Sequence, residues 1–351
     1  MADDHPPLQN PQKLPLKYRL ILPLLSFVSH KCLRPNMTVN RSLISLFESK
    51  VSSSSPRDGV FTCDTVIDPS RNLWFRLFVP SSTPHDLPIP LLIYFHGGGF
   101  VFFSPDFLSF DTLCRKLARE LQAIVVSVNY RLSPEHRYPS QYEDGFDALK
   151  FIDDLDSSAF PKKSDFGRCF IAGDSAGGNI AHHVVVRSSD YNFKKVKIRG
   201  LIAIQPFFGG EERTESEIRF GRSPTLNLER ADWYWKAFLP DGANRNHGAA
   251  HVFGEDGVNI SAVKFPATLV IVGGSDQLRD WDRKYYEWLK KAGKEVELVE
   301  YPKAIHGFYV ISELPETWLL IEEAKNFIEK VRSSANHEWN GIEDDDRSHQ
   351  M

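Results

Sequence analysis

Two hydrophobic rhythms alternate along most of this chain. Short apolar runs predict strands over residues 63–67, 73–79, 91–95, 123–128, 169–172, 198–204, 268–272 and 296–301. Between the later runs, apolar positions recur at helical spacing over 110–121, 143–155 and 178–187, and again over 281–292 and 319–331. Runs such as Ala-Ile-Val-Val-Ser-Val (123–128) and Leu-Val-Ile-Val (269–272) are apolar almost without interruption, the pattern of strands covered on both faces. This alternation predicts a doubly wound, mostly parallel α/β sheet with helices on each side, and an active site at the carboxyl ends of its strands.

Several segments depart from that rhythm. Residues 1–16, polar and rich in proline, and 333–351, polar and acidic, predict disorder. Residues 17–50 read as one or two helices, with Leu43, Leu46 and Phe47 at helical spacing in the second, followed by a linker over 52–56. The apolar run over 20–28 is interrupted by Pro23, follows an acidic stretch and lacks a clear small-residue cleavage site. It fits neither a secretory signal nor a membrane span, which needs about 20 apolar residues, and predicts an amphipathic segment packed on the body of the protein. Residues 206–266 carry many charged and aromatic side chains (Arg213, Glu215, Trp233, Tyr234, Trp235, Phe238) and predict an inserted helical cap.

Composition narrows the picture further. With 351 residues, 42% of them hydrophobic, the chain can bury one large core or two smaller ones. A net charge of −4 with acids and bases interspersed makes no electrostatic case for nucleic acid or an anionic membrane. The four cysteines are scattered without Cys-x-x-Cys pairing, as in reduced thiols of a cytoplasmic protein, a setting that leaves the nucleus open as well. No metal-ligand spacing appears, and Gly97 to Gly99 lacks the Lys-Ser/Thr ending of a phosphate loop, so neither metal nor cofactor is expected.

The chemistry concentrates at predicted strand ends. Gly173-Asp174-Ser175-Ala176-Gly177 lies between a strand and a helix, the setting that holds a serine hydroxyl at the tip of a sheet as a nucleophile. Such a serine needs a base, a carboxylate to orient the base, and donors for the oxyanion. The candidate base is His306, beyond the strand over 296–301, and the candidate acid is Asp276, beyond the strand over 268–272. Asp280 and Asp282 are rivals, but both fall at or inside the next helix, where capping or a solvated face accounts for them. Asp174 is too near Ser175 in sequence to reach the distal histidine nitrogen and reads as structural. The run His96-Gly97-Gly98-Gly99 follows another strand. Its exposed N–H groups at Gly98 and Gly99, with that of Ala176, make an oxyanion hole; Gly97 shapes the loop beside the substrate, and His96 fixes it by hydrogen bonding. His182 and His183, adjacent on a helix, cannot face the same way and read as packing.

Several stretches together resemble the hormone-sensitive-lipase branch of the α/β-hydrolases, in particular plant carboxylesterases and gibberellin receptors. They are YFHGGGF (94–100), VVSVNYRLSPEHRYP (125–139), YEDGFDAL (142–149), FIAGDSAGGNIAHHV (170–184) and IHGFYV (305–310). The resemblance spans about residues 17 to 332. It implies an α/β-hydrolase domain over 57–332 with a mostly parallel eight-stranded sheet, an inserted cap, and residues 17–56 as lid and linker. Segments 209–217, 231–242 and 37–51 are similar to the receptor subgroup, which implies a ligand-covering lid and a protein partner docking on it. By the same resemblance, receptors carry an apolar residue in place of the triad histidine, and serines at the positions of Gly99 and Ala176. A receptor tyrosine that contacts ligand corresponds to Phe110, whereas the contact positions Asp232 and Tyr309 are retained.

His306 tips the balance toward catalysis, since a serine without a base is not activated. The expectation is a carboxylic-ester hydrolase acting on small to medium apolar esters through Ser175, His306 and Asp276. Two rivals stand beside it. One is a gibberellin-receptor-like binding protein that does not hydrolyse. The other is an enzyme of specialised metabolism that performs eliminations or cyclisations with the oxyanion loop.

Overall fold

The uninterrupted apolar runs come together as one sheet. A computed structural model describes residues 12–53, 56–82 and 88–348, with the backbone alone for 334–348. Its strands are β1 (Val60–Asp68), β2 (Leu73–Pro80), β3 (Ile89–Phe95), β4 (Ile124–Asn129), β5 (Ser164–Asp174), β6 (Ile198–Ile204), β7 (Ala267–Gly273) and β8 (Val296–Tyr301). They line up in the order β1-β2-β4-β3-β5-β6-β7-β8. Only β2 runs against its neighbours, pairing antiparallel with β1 and β4; every pairing from β4 through β8 is parallel.

Helices cover both faces. On one side Leu91, Ile93, Phe95 and Ile171 pack against Leu149 and Ile152 of the helix Ser140–Asp154, and against Ile180 and Val184 of the helix Ala176–Ser188. On the other, Leu92, Tyr94, Phe170 and Ile202 meet Leu113 and Leu117 of the helix Leu108–Glu120 and Leu320 and Phe327 of the helix Pro315–Ser348. Neighbouring residues of β3 therefore serve opposite cores, which is why its seven residues are all buried. Between β6 and β7 the chain inserts the helices Glu215–Phe220 and Leu228–Phe238, which place the cap where the strand–helix rhythm breaks.

Both ends differ from expectation. Residues 1–11 lie outside the described residues, but the rest of the 1–16 stretch is packed. Ile305 N–H donates to Gln12 Oε1 (3.3 Å), and Leu14 rests against the core. At the other end the helix Pro315–Ser348 runs through most of the 333–351 stretch expected to be disordered; no proline interrupts it after its first residue. The lid segment forms the helix Leu16–Cys32, which passes through Pro23, and a five-residue helix Arg41–Ser45. Leu46 and Phe47 fall beyond that short helix and are exposed.

Candidate active site

All the candidate groups stand at the same edge of the sheet because parallel strands end together. Along the row β3-β5-β6-β7-β8, successive strand ends deliver the glycine loop, Ser175, Gln205, Asp276 and the His306 loop. Phe95 pairs in register with Gly173, which sets the glycine loop beside the serine turn.

At that turn Ser175 takes φ 52° and ψ −120°, a conformation that costs a non-glycine residue roughly 1–3 kcal/mol and is held by its surroundings. Its N–H donates to Ile204 O (2.9 Å) and its carbonyl accepts from Phe207 N–H (2.8 Å). The turn is tight enough that a Cβ on Gly177 would stand 1.9 Å from Phe95 O, so only glycine fits there. Ser175 is 5% exposed and His306 9%.

Three distant side chains converge. His306 Nδ1 donates to Asp276 Oδ2 (2.7 Å), which leaves Nε2 to accept from Ser175 Oγ (3.0 Å). Asp276 is held in turn by Leu278 N–H on Oδ1 (3.1 Å). Neither rival hydrogen-bonds His306. Asp280 accepts from Ser216 N–H (2.7 Å) and ties the cap to the sheet, while Asp282 is buried without a hydrogen-bond partner among the described residues.

The oxyanion side is equally ordered. Gly98 (φ 113°) and Gly99 (φ 63°) take the left-handed region, and no backbone acceptor among the described residues receives the N–H of Gly98, Gly99 or Ala176. Gly97 differs, since its N–H donates to Asp174 Oδ1 (2.9 Å). Asp174 also accepts from Tyr94 (2.5 Å) and from Tyr309, so this carboxyl ties the serine turn to the glycine loop. Burial pushes its pKa up to about 6, against the pull of those three donors. His96 donates through Nδ1 to Gly97 O (2.8 Å), stacks on Tyr130 (4.4 Å between centroids), and is kept neutral by burial, with a pKa lowered to about 4.

The remaining sequence candidates divide. Phe110 packs behind the loop against His96 (5.4 Å) and Phe103 (5.5 Å). Tyr309 is spent on Asp174. Asp232 lies apart from both: its carboxylate is engaged by Arg213 and by Arg245 (3.5 Å). It lines an open cavity of about 480 Å³ with Met37, Trp235 and Leu239, to which no triad residue contributes. His182 and His183 have separate partners, Tyr285 Oη (2.9 Å) and Ala249 O (3.3 Å).

Two residues escaped the sequence reading. Gln205 donates to Ile305 O (3.2 Å) and accepts from Gly307 N–H (2.9 Å), bracketing His306. Tyr234 lies so close to the loop that a Cβ on Gly99 would come within 2.4 Å of its ring. The only available signals were a glutamine at a strand end and an aromatic in the cap.

The N-terminal segment expected to act as a lid packs against this part of the body. At its start Lys17 pairs with Glu313, and Gln12 holds Ile305 next to His306; at its far end Trp233 Nε1 donates to Arg34 O (3.2 Å), and Arg41 holds Val101 O and Ser133 O. Tyr18 and Leu22 pack inward beside Phe103, Phe107 and Ile305.

Among the described residues no cluster could hold a metal ion, and no helix is long and apolar enough to cross a membrane. Sheet order, serine turn and glycine loop together define an α/β-hydrolase framework. The chain belongs to that family, whose model, described by the alpha/beta hydrolase fold, matches residues 92–310. Within it the chain is similar both to receptors and to esterases of plants. It is 40% identical over 310 residues to gibberellin receptor GID1C of Arabidopsis thaliana, covering 84% of this chain and 88% of the receptor. It is 36% identical over 290 residues to carboxylesterase 20 of the same plant, covering 79% and 88%. Among solved structures, an esterase of Pyrobaculum calidifontis matches with a TM-score of 0.69 at 26% identity, over 92% of this chain and 99% of that one.

Proposed function

We propose that the protein is a serine carboxylesterase for small to medium apolar esters. The observation that carries this reading is His306 standing between Asp276 and Ser175 at hydrogen-bond distance from both. Ser175 Oγ attacks the ester carbonyl carbon while its proton passes to His306 Nε2. Asp276 stabilises the imidazolium, and the N–H groups of Gly98, Gly99 and Ala176 receive the oxyanion. When the intermediate collapses, the alcohol leaves with the proton from His306. Water then attacks the acyl-enzyme, gives its proton to the same nitrogen and releases the acid, restoring Ser175. The aromatic rings of Phe103 and Tyr234 beside the loop favour an apolar substrate, and no cofactor enters any step. A cytoplasmic location belongs to the same proposal.

Purified protein assayed on short-chain p-nitrophenyl esters tests it. Ser175→Ala is expected to lose on the order of a millionfold in turnover. Equal hydrolysis by wild type and variant overturns the mechanism.

One further reading draws on the 40% identity to a gibberellin receptor and on an N-terminal helical segment packed beside the His306 loop. A chain that binds gibberellin tightly in calorimetry yet hydrolyses no ester would favour a receptor. An active chain whose Ser175 forms no adduct with an organophosphonate would instead point to elimination or cyclisation without an acyl-enzyme.

A further inference from the structure

The lid helix Leu16–Cys32 is apolar on two sides, and the body of the protein uses only one. Tyr18 and Leu22 pack inward, with Val28 and Cys32 buried below them. Leu16, Leu20, Leu24 and Phe27, spaced one helical turn apart, form an outward stripe and are 70%, 69%, 55% and 59% exposed. A contiguous ridge of large apolar side chains left in water marks a surface that something covers.

Charge indicates what that something is. Over the whole chain acids and bases nearly cancel, but residues 13–47 hold Lys13, Lys17, Arg19, Lys31, Arg34 and Arg41 with no Asp or Glu, a local charge of +6. Lys17 and Arg41 are neutralised by Glu313 and Glu135. Lys13, Arg19, Lys31 and Arg34 are exposed and hold no ion pair among the described residues. Lys31 continues the stripe one turn beyond Phe27, and Arg19 flanks it. The ridge Leu16, Leu20, Leu24 and Phe27 carries no hydrogen-bonding side chain to register a folded partner. A helix with an apolar stripe and cations at its margins is instead suited to lie in the interface of an anionic lipid layer, aliphatic groups inserted and cations at the headgroups. We propose that the outer face of the lid helix docks on an anionic lipid surface, which the whole-chain charge of −4 conceals. The proposal stands apart from the esterase reading.

Co-sedimentation of the full chain with phosphatidylserine-rich and with pure phosphatidylcholine vesicles tests it. The chain is expected to pellet with the anionic vesicles, less so as salt screens the cations. Leu20→Ser with Phe27→Ser should lower the partition coefficient about tenfold or more. Lys31→Ala should lower it about fivefold. Both variants alter exposed groups, and unchanged melting temperatures would confirm intact folds. Three outcomes overturn the proposal. They are a chain that stays in the supernatant with anionic vesicles at low salt, a chain that pellets equally well in every variant, and a dimer in sedimentation velocity that Leu20→Ser with Phe27→Ser disperses while vesicles go unbound.

Discussion

The serine turn and the N-terminal segment are built on opposite principles. Ser175, Asp276 and His306 hang from strand ends locked by a ladder of backbone bonds, and their supports (Ile204 O, Gln205, Leu278 N–H) belong to that ladder or adjoin it. The lid rests on scattered side-chain contacts such as Arg41 to Val101 and Trp233 to Arg34, and leaves an apolar ridge in water. Geometry that depends on tenths of an ångström is held by backbone ladders, whereas the N-terminal segment is held by fewer and more exposed contacts.

The contrast breaks most completely on the rigid side. His306→Leu, which introduces the apolar residue that resemblance assigns to receptors, should cut turnover of p-nitrophenyl esters on the order of a millionfold, because base and nucleophile act as a unit. A residual rate within a hundredfold of wild type would show that another group serves as base.

A smaller effect should appear at Asp174, where the serine turn is tied to the glycine loop. This carboxyl is raised from 3.8 to about 6 by burial, so the folded protein holds its proton more tightly than the unfolded chain. Its stabilising contribution is full below about pH 4 and is lost as pH rises through about 6. Asp174→Asn removes that slope. Between pH 4 and 7 the stability difference between the two proteins should move in favour of the variant by on the order of 3 kcal/mol. Parallel curves in urea unfolding at stepped pH would contradict this.

The smallest effect belongs to the lid. Arg41→Ala releases Val101 O, Ser133 O and Glu135. With the triad untouched, kcat on a small ester should hold while KM changes less than about tenfold, as for loss of uniform binding. A collapse of kcat would mean that the lid also positions the catalytic groups.

Much of the candidate site's arrangement could be read in advance because its signals are local. A serine between glycines, a glycine run after an apolar strand and a histidine beyond the last strand are each recognisable within a few residues. Gln205 and Tyr234 were not legible, since their roles arise from a neighbouring strand end and from the cap folding back. Asp232 shows the same limit in reverse. Its place in a matching segment suggested a ligand contact, yet two arginines from elsewhere in the cap engage its carboxylate. In the N-terminal segment, whole-chain charge averaged away a cationic stretch, and the apolar run over 20–28 did not reveal that most of it would face outward.

Periodicity and short motifs by themselves determined the class of fold, the strand ends that matter and the order Ser175, Asp276, His306. Local backbone preference and the burial needs of apolar runs act within a few residues, and the sequence displays both directly. Tertiary structure alone decided which carboxylate meets the imidazole, that Gly97 N–H is taken by Asp174 while those of Gly98 and Gly99 stay open, and which face of the lid helix meets water. Those outcomes depend on contacts between residues dozens to hundreds of positions apart, whose geometry exists only once the sheet has ordered its strands.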